Sequence, residues 1–151
     1  MDRFYLTFEN TDTVTTESGI SIPVDYSFWP KVMKYFTDRS TSFLVECWED
    51  EKEAIRSASS YGKEIEDISS KLRTFEGRLT EEFINELIND PYDHEGKIKW
   101  FKVKLKLDDE YVLYSAHYGS EFITGYLRED DRIFIEENLP RDFSLEVVYE
   151  E

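Results

Sequence analysis

The clearest pattern in the chain is an alternation. Phe101, Val103, Leu105 and Leu107 interleave with Lys102, Lys104 and Lys106, and a period of two marks a half-buried strand. Ile98 and Trp100 alternate with Lys97 and Lys99 in the opposite phase. A one-residue slip moves every side chain to the other face, so the spacing predicts a β-bulge between Trp100 and Phe101 within a strand over residues 97–107. Asp108-Asp109 then reads as a turn, residues 111–118 as a returning strand, Gly119-Ser120 as a two-residue hairpin turn and residues 121–127 as a third strand. Residues 97–127 thus form an antiparallel meander.

Helical spacing appears elsewhere. Trp29, Val32, Met33 and Phe36 fall on one helix face, with Pro30 in the first turn and Ser27 placed to cap. Asp50 and Glu53 fit a capping box opening a helix that Gly62 ends. Ile65, Ile68, Leu72 and Phe75 predict a further helix from about Lys63, with Gly77 as its stop signal. Thr80 begins the strongest helix: Glu81 and Glu82 lie in its first turn, Phe83, Ile84, Leu87 and Ile88 form its apolar face, and Pro91 ends it. Residues 3–8, 43–48 and 143–149 read as strands, and Ile20-Ser21-Ile22 as a short one after a polar loop at 10–19. Residues 130–138 fit either a strand or a short helix. Strands and helices are segregated rather than alternating, which predicts an α+β fold: a single domain over residues 1–151, with a largely antiparallel sheet packed against three to four helices.

The 151 residues match the commonest domain size, and 40% apolar content with 16% aromatics suffices for a core. No run approaches the ~20 apolar residues of a membrane span. Met1-Asp2-Arg3-Phe4 carries an acid where a secretory signal has a basic start. A lone cysteine, Cys47, permits no internal disulfide, which favours the cytoplasm. It sits in a strand pattern without an adjacent base and reads as a buried, inert thiol.

Charge changes the picture most. The net charge is −16, and residues 107–151 hold 13 acids and 3 bases. Such a field repels nucleic acid and anionic membranes and attracts basic partners. The lysine row beside Trp100 and Phe101 could hold a single strand, but a solvent-facing strand with lysines guarding an edge is the stronger reading. Asp93-His94-Glu95 groups potential metal ligands, yet adjacent residues rarely converge on one ion, so a solvated loop is expected. Ser115 and His117 share a strand face without a third member. No nucleotide-cradling or nucleophile-elbow motif occurs. Neither a cofactor nor a metal is expected.

These features favour a non-enzymatic acidic protein that binds a basic protein partner. Its most concrete form is a bacterial immunity-type inhibitor that neutralises a basic toxin, such as a nuclease. The residues expected to meet the partner are Glu49, Asp50, Glu51 and Glu53, then Asp108, Asp109 and Glu110, then Glu129, Asp130 and Asp131. Tyrosines such as Tyr111, Tyr114, Tyr118 and Tyr126 are candidates to share that surface. The alternatives are a nucleic-acid mimic, a phage or accessory protein whose acidity serves solubility, and a small enzyme using a carboxylate pair or His117. Oligomeric state is left open.

Overall fold

The computed structural model describes residues 3–66 and 71–150. In chain order the elements are β1 (Arg3–Asn10), β2 (Thr13–Thr15), β3 (Ser21–Pro23), α1 (Trp29–Thr37), β4 (Ser42–Trp48), α2 (Lys52–Tyr61), β5 (Lys63–Ile65), β6 (Leu72–Arg78), α3 (Glu81–Asn89), β7 (Lys102–Leu107), β8 (Glu110–Ala116), β9 (Glu121–Thr124), α4 (Glu129–Asn138) and β10 (Phe143–Glu150). Eight strands form one sheet in the order β10-β1-β9-β8-β7-β4-β6-β5. Every neighbouring pair is antiparallel. Strands β2 and β3 pair separately. The fold is the α+β architecture that the segregated pattern predicts. No helix among the described residues is long and apolar enough to cross a membrane.

One face of the sheet builds the core. Leu6, Phe8, Phe43, Val45, Cys47, Phe75, Val103, Leu105, Leu113 and Phe122 are buried there. Helix α1 packs Phe28 and Trp29 against Phe122, and α3 packs Phe83 against Phe43. The Trp29 indole N–H donates to the Leu87 carbonyl at 2.7 Å and joins the two helices. Helix α4 stacks Phe134 on Tyr35 of α1. The opposite face exposes or half-exposes Tyr5, Thr7, Leu44, Lys102, Lys104, Lys106, Tyr114 and Ile123.

Six local expectations are corrected. The segment read as a helix from Lys63 is the β5–β6 hairpin, because β6 pairs with β4 along its whole length and that ladder outweighs the helical spacing of Ile65, Leu72 and Phe75. Ile68 lies outside the described residues. Gly77 lies inside β6 and stops nothing. A Cβ there would sit 2.7 Å from the Tyr61 carbonyl and 3.1 Å from the Gly62 Cα, so glycine lets the end of α2 rest on the strand. Gly77→Ala is therefore expected to destabilise the protein by about 1–3 kcal/mol, read as a lower denaturant midpoint.

The caps differ too. The Asp25 carboxylate takes both the backbone N–H and the hydroxyl of Ser27, so Phe28 rather than Ser27 stands at the start of α1, which has no side-chain cap. Glu51 rather than Asp50 precedes α2, also without a side-chain cap, and Glu53 closes no capping box. Thr80 does cap α3, accepting from the Phe83 N–H at 3.2 Å.

The phase flip at Trp100 is not a bulge. Residues 91–99 fold back on themselves, with Asp93 N–H on the Lys97 carbonyl and Lys99 N–H on the Pro91 carbonyl, and the strand begins only at Lys102. The register shift in this hairpin lies further on, where Val112 is inserted opposite the Leu105/Lys106 step. The Gly119-Ser120 turn is likewise longer. Ala116 pairs with Glu121, leaving the four residues 117–120 to turn the chain.

Candidate functional site

Two grooves gather the charged residues. The first, about 1260 Å³, lies beside the start of α2 and is lined by Glu49, Asp50, Glu51, Asp93, Lys97 and Tyr118 among others. The doubled-back segment buries both faces of its alternation. Ile98 and Trp100 enter the core, while Lys97 and Lys99 point at acids. Lys97 is 5% exposed; its ammonium pairs with Asp93, stands 3.7 Å from Glu51 and lies over the Tyr118 ring. Lys99 pairs with Glu86 at 3.1 Å. The expectation of a solvent-facing lysine row thus fails for Lys97 and Lys99, because acids from three separate segments meet them. Lys102 and Lys104 stay half-buried on the open face near Glu46, at 3.8 and 3.5 Å.

Tyr118 completes this network. Its hydroxyl donates to Glu51 at 2.8 Å, and its carbonyl accepts from the Tyr26 hydroxyl at 2.7 Å. His117, Tyr118 and Gly119 all have positive φ, of 51°, 60° and 78°. Two bulky residues in this left-handed region carry strain that the contacts of Tyr118 offset. Gly119 is required here, since a Cβ would meet the Trp29 ring at 2.9 Å. The turn removes His117 from the strand, so it shares no face with the buried Ser115. Burial, opposed by hydrogen bonds from the Trp48 N–H and Tyr118 and by Lys97, holds the Glu51 carboxyl above the usual carboxylate range. Burial likewise pushes the Cys47 thiol up to about 12, consistent with an inert group.

The Asp93-His94-Glu95 triplet splits three ways. Asp93 turns inward to Lys97, a correction to the solvated loop expected for it. Glu95 accepts from Ser18, and His94 meets Glu53 at 2.5 Å. No three metal-ligating side chains converge among the described residues. The Glu53 carboxylate raises the His94 pKa above its ordinary value. A raised histidine pKa means a pairing fully present below the ordinary value and lost as pH rises through the folded one. Glu53→Gln is expected to return the His94 titration toward its ordinary value in an NMR pH series, and no change would contradict the pairing.

The second groove, about 1140 Å³, lies between the β7–β8 turn, β9 and the start of α4. Asp109, Glu110, Asp130 and Asp131 line it with Leu107, Tyr111, Ile123 and Tyr126. Those four large side chains are between 46% and 50% exposed. Asp131 is engaged within the fold, accepting the Tyr35 hydroxyl at 2.5 Å and the Arg128 N–H at 2.9 Å. The exposed side chains of Asp109, Glu110 and Asp130 have no ion pair or hydrogen bond among the described residues. Two arginines of the chain already rest on tyrosines of this groove, Arg3 on Tyr126 at 4.7 Å and Arg39 on Tyr35 at 3.6 Å.

The structure therefore divides the ten expected contact residues. Asp109, Glu110, Asp130 and Asp131 share one groove, though they come from two sequence clusters. Asp108, at φ 54° in the hairpin turn, and Glu129 are exposed beside their clusters. Glu49, Asp50 and Glu53 line the other groove, and Glu51 faces inward. Of the tyrosines, Tyr111 and Tyr126 are exposed, Tyr114 is half-buried and Tyr118 is buried. Sequence reasoning missed the exposed Leu107 and Ile123 and the buried lysine network. No local spacing signalled the latter, because an i,i+4 pair meets by default only on a helix and Glu51 and Glu86 are distant in sequence. No family model matches the chain, and neither a curated protein nor a solved structure shows significant similarity to it.

Proposed function

We propose that this protein is a non-enzymatic binding protein that docks a basic protein partner in the groove between the β7–β8 turn and α4. One observation carries the reading: exposed carboxylates of Asp109, Glu110 and Asp130 border exposed Leu107, Tyr111, Ile123 and Tyr126 in a single concavity, which Arg3, Arg39 and Arg128 also line. Cationic side chains stack on aromatic rings and pair with carboxylates; within the chain itself the Arg3 guanidinium lies over Tyr126, and that of Arg39 lies over Tyr35 and 3.8 Å from Asp131. Aromatic anchors inside a charged rim are the usual energetic centre of an interface. The field of a chain with net charge −16 adds long-range attraction to a cationic protein. A bacterial immunity-type inhibitor, covering the cationic substrate site of a toxin such as a nuclease, is the most concrete form of this role.

The purified chain used as bait in a lysate of its source organism, at low and at high salt, tests the reading. A positively charged protein retained at low salt and released at high salt is the expected result. Retention only of neutral or acidic proteins, indifferent to salt, would reject it.

A second reading, a small enzyme, has one observation in its favour: the first groove gathers Glu51, Asp93, Lys97 and Tyr118 at its wall. Each of those groups is held by another of the four, which favours a structural network over a reaction centre.

A further inference from the structure

The two edges of the eight-stranded sheet are unlike each other. Strand β5 ends one side with three residues, beginning in a lysine. Strand β10 ends the other with eight, paired to β1 residue for residue without a register shift. Short edges, charged side chains (lysine above all), prolines and bulges are the common guards against strand addition, and the only charges on β10 are the carboxylates of Glu146 and Glu150, which a basic strand would meet as partners. Residues 143–150 contain no lysine, proline or glycine. In an antiparallel ladder every second residue directs its N–H and C=O away from the partner strand. Among the described residues, no hydrogen bond outside the β1 ladder engages the backbone of residues 144–150.

From this edge, and resting on the docking role proposed above, we infer that β10 receives an extended basic segment of the partner as a ninth strand. The chemistry of the occupant follows from the side chains that would flank it. Ser144, Glu146, Val148 and Glu150 alternate with Phe143, Leu145, Val147 and Tyr149 along β10. A neighbouring strand meets carboxylates on one face and apolar groups on the other, which suits lysine or arginine alternating with β-branched residues. A second copy of this chain is disfavoured, because an antiparallel pairing centred on Val148 would lay Glu146 against Glu150 of the other copy and any pairing would join two bodies of charge −16. The edge is also continuous with the docking groove: Glu150 lines that groove and accepts the Tyr126 hydroxyl.

The probe is a capped peptide of about ten residues alternating lysine and valine, long enough to span β10. Its control is the same peptide with two adjacent central amides N-methylated, which keeps the charge and blocks both edges of the strand. Fluorescence anisotropy with the intact protein should show salt-sensitive binding, weakened about tenfold or more by methylation, as expected when a backbone hydrogen bond is lost. Hydrogen exchange should gain protection along residues 144–150 when the unmodified peptide binds. Equal binding of both peptides without new protection would overturn strand addition, as would no binding of either. Both outcomes leave the acidic docking groove to stand or fall on its own variant, Asp109→Lys/Glu110→Lys/Asp130→Lys, tested with the captured partner.

Discussion

Lys97→Met is expected to destabilise the protein by about 3–5 kcal/mol, the usual cost of leaving a buried charge without its partner. Lys97 is 5% exposed and Asp93 7%, so water cannot take over the role of the ammonium. Glu51, itself held above the usual carboxylate range by burial, loses a stabilising cation in the same step. The loss should spread, because Glu51 also anchors Tyr118 in its left-handed turn. Lys34→Met supplies the comparison: its pair with Asp38 is more than half exposed on both sides and should change stability by ~0–1 kcal/mol. Denaturant midpoints for the two variants measure the difference, and similar midpoints would refute the buried network as a stabilising unit.

The second large effect concerns association. Reversing Asp109, Glu110 and Asp130 to lysine together should slow capture of a basic partner by ~10–10³-fold at low salt and flatten the salt dependence of the rate. All three side chains are exposed and take no part in an ion pair or hydrogen bond among the described residues, so the fold should tolerate the change at a cost of about 0.3–1 kcal/mol for a lysine in the first turn of α4. Tyr111→Ala and Tyr126→Ala act on the same groove differently. They remove anchoring surface rather than field, so they should raise the dissociation rate and leave the association rate nearly unchanged.

Much of the architecture was legible because local pattern and tertiary demand agreed. The apolar faces of α1 and α3 sit in the core as their spacing predicts, with Trp29, Val32, Met33, Phe36, Phe83 and Leu87 all buried. The meander follows from alternation and turn chemistry. Legibility ended where partners distant in sequence decided the outcome. Residues 63–78 carry helical spacing, but β4 offers β6 a full ladder and Gly62 and Gly77 fit against each other, a pairing that no local window contains. Lys97 and Lys99 alternate like solvent-facing lysines, and only the approach of Glu51, Asp93 and Glu86 reveals them as buried. The candidate site was half legible. The acidic clusters and Tyr111 and Tyr126 could be named from sequence. That residues 109–110 and 130–131 line one groove, while Glu49 and Asp50 line another, depends on the sheet order.

The most direct measurement compares two variants with equal changes in net charge. One is Asp109→Lys/Glu110→Lys/Asp130→Lys; the other is Glu17→Lys/Glu49→Lys/Asp50→Lys, at the first groove. Stopped-flow association with the captured basic partner at low salt should show the first variant slowed by ~10–10³-fold and the second far less. Equal slowing by both, or a larger effect at the first groove, would mean that total charge or the other groove, and not the concavity lined by Tyr111 and Tyr126, governs docking.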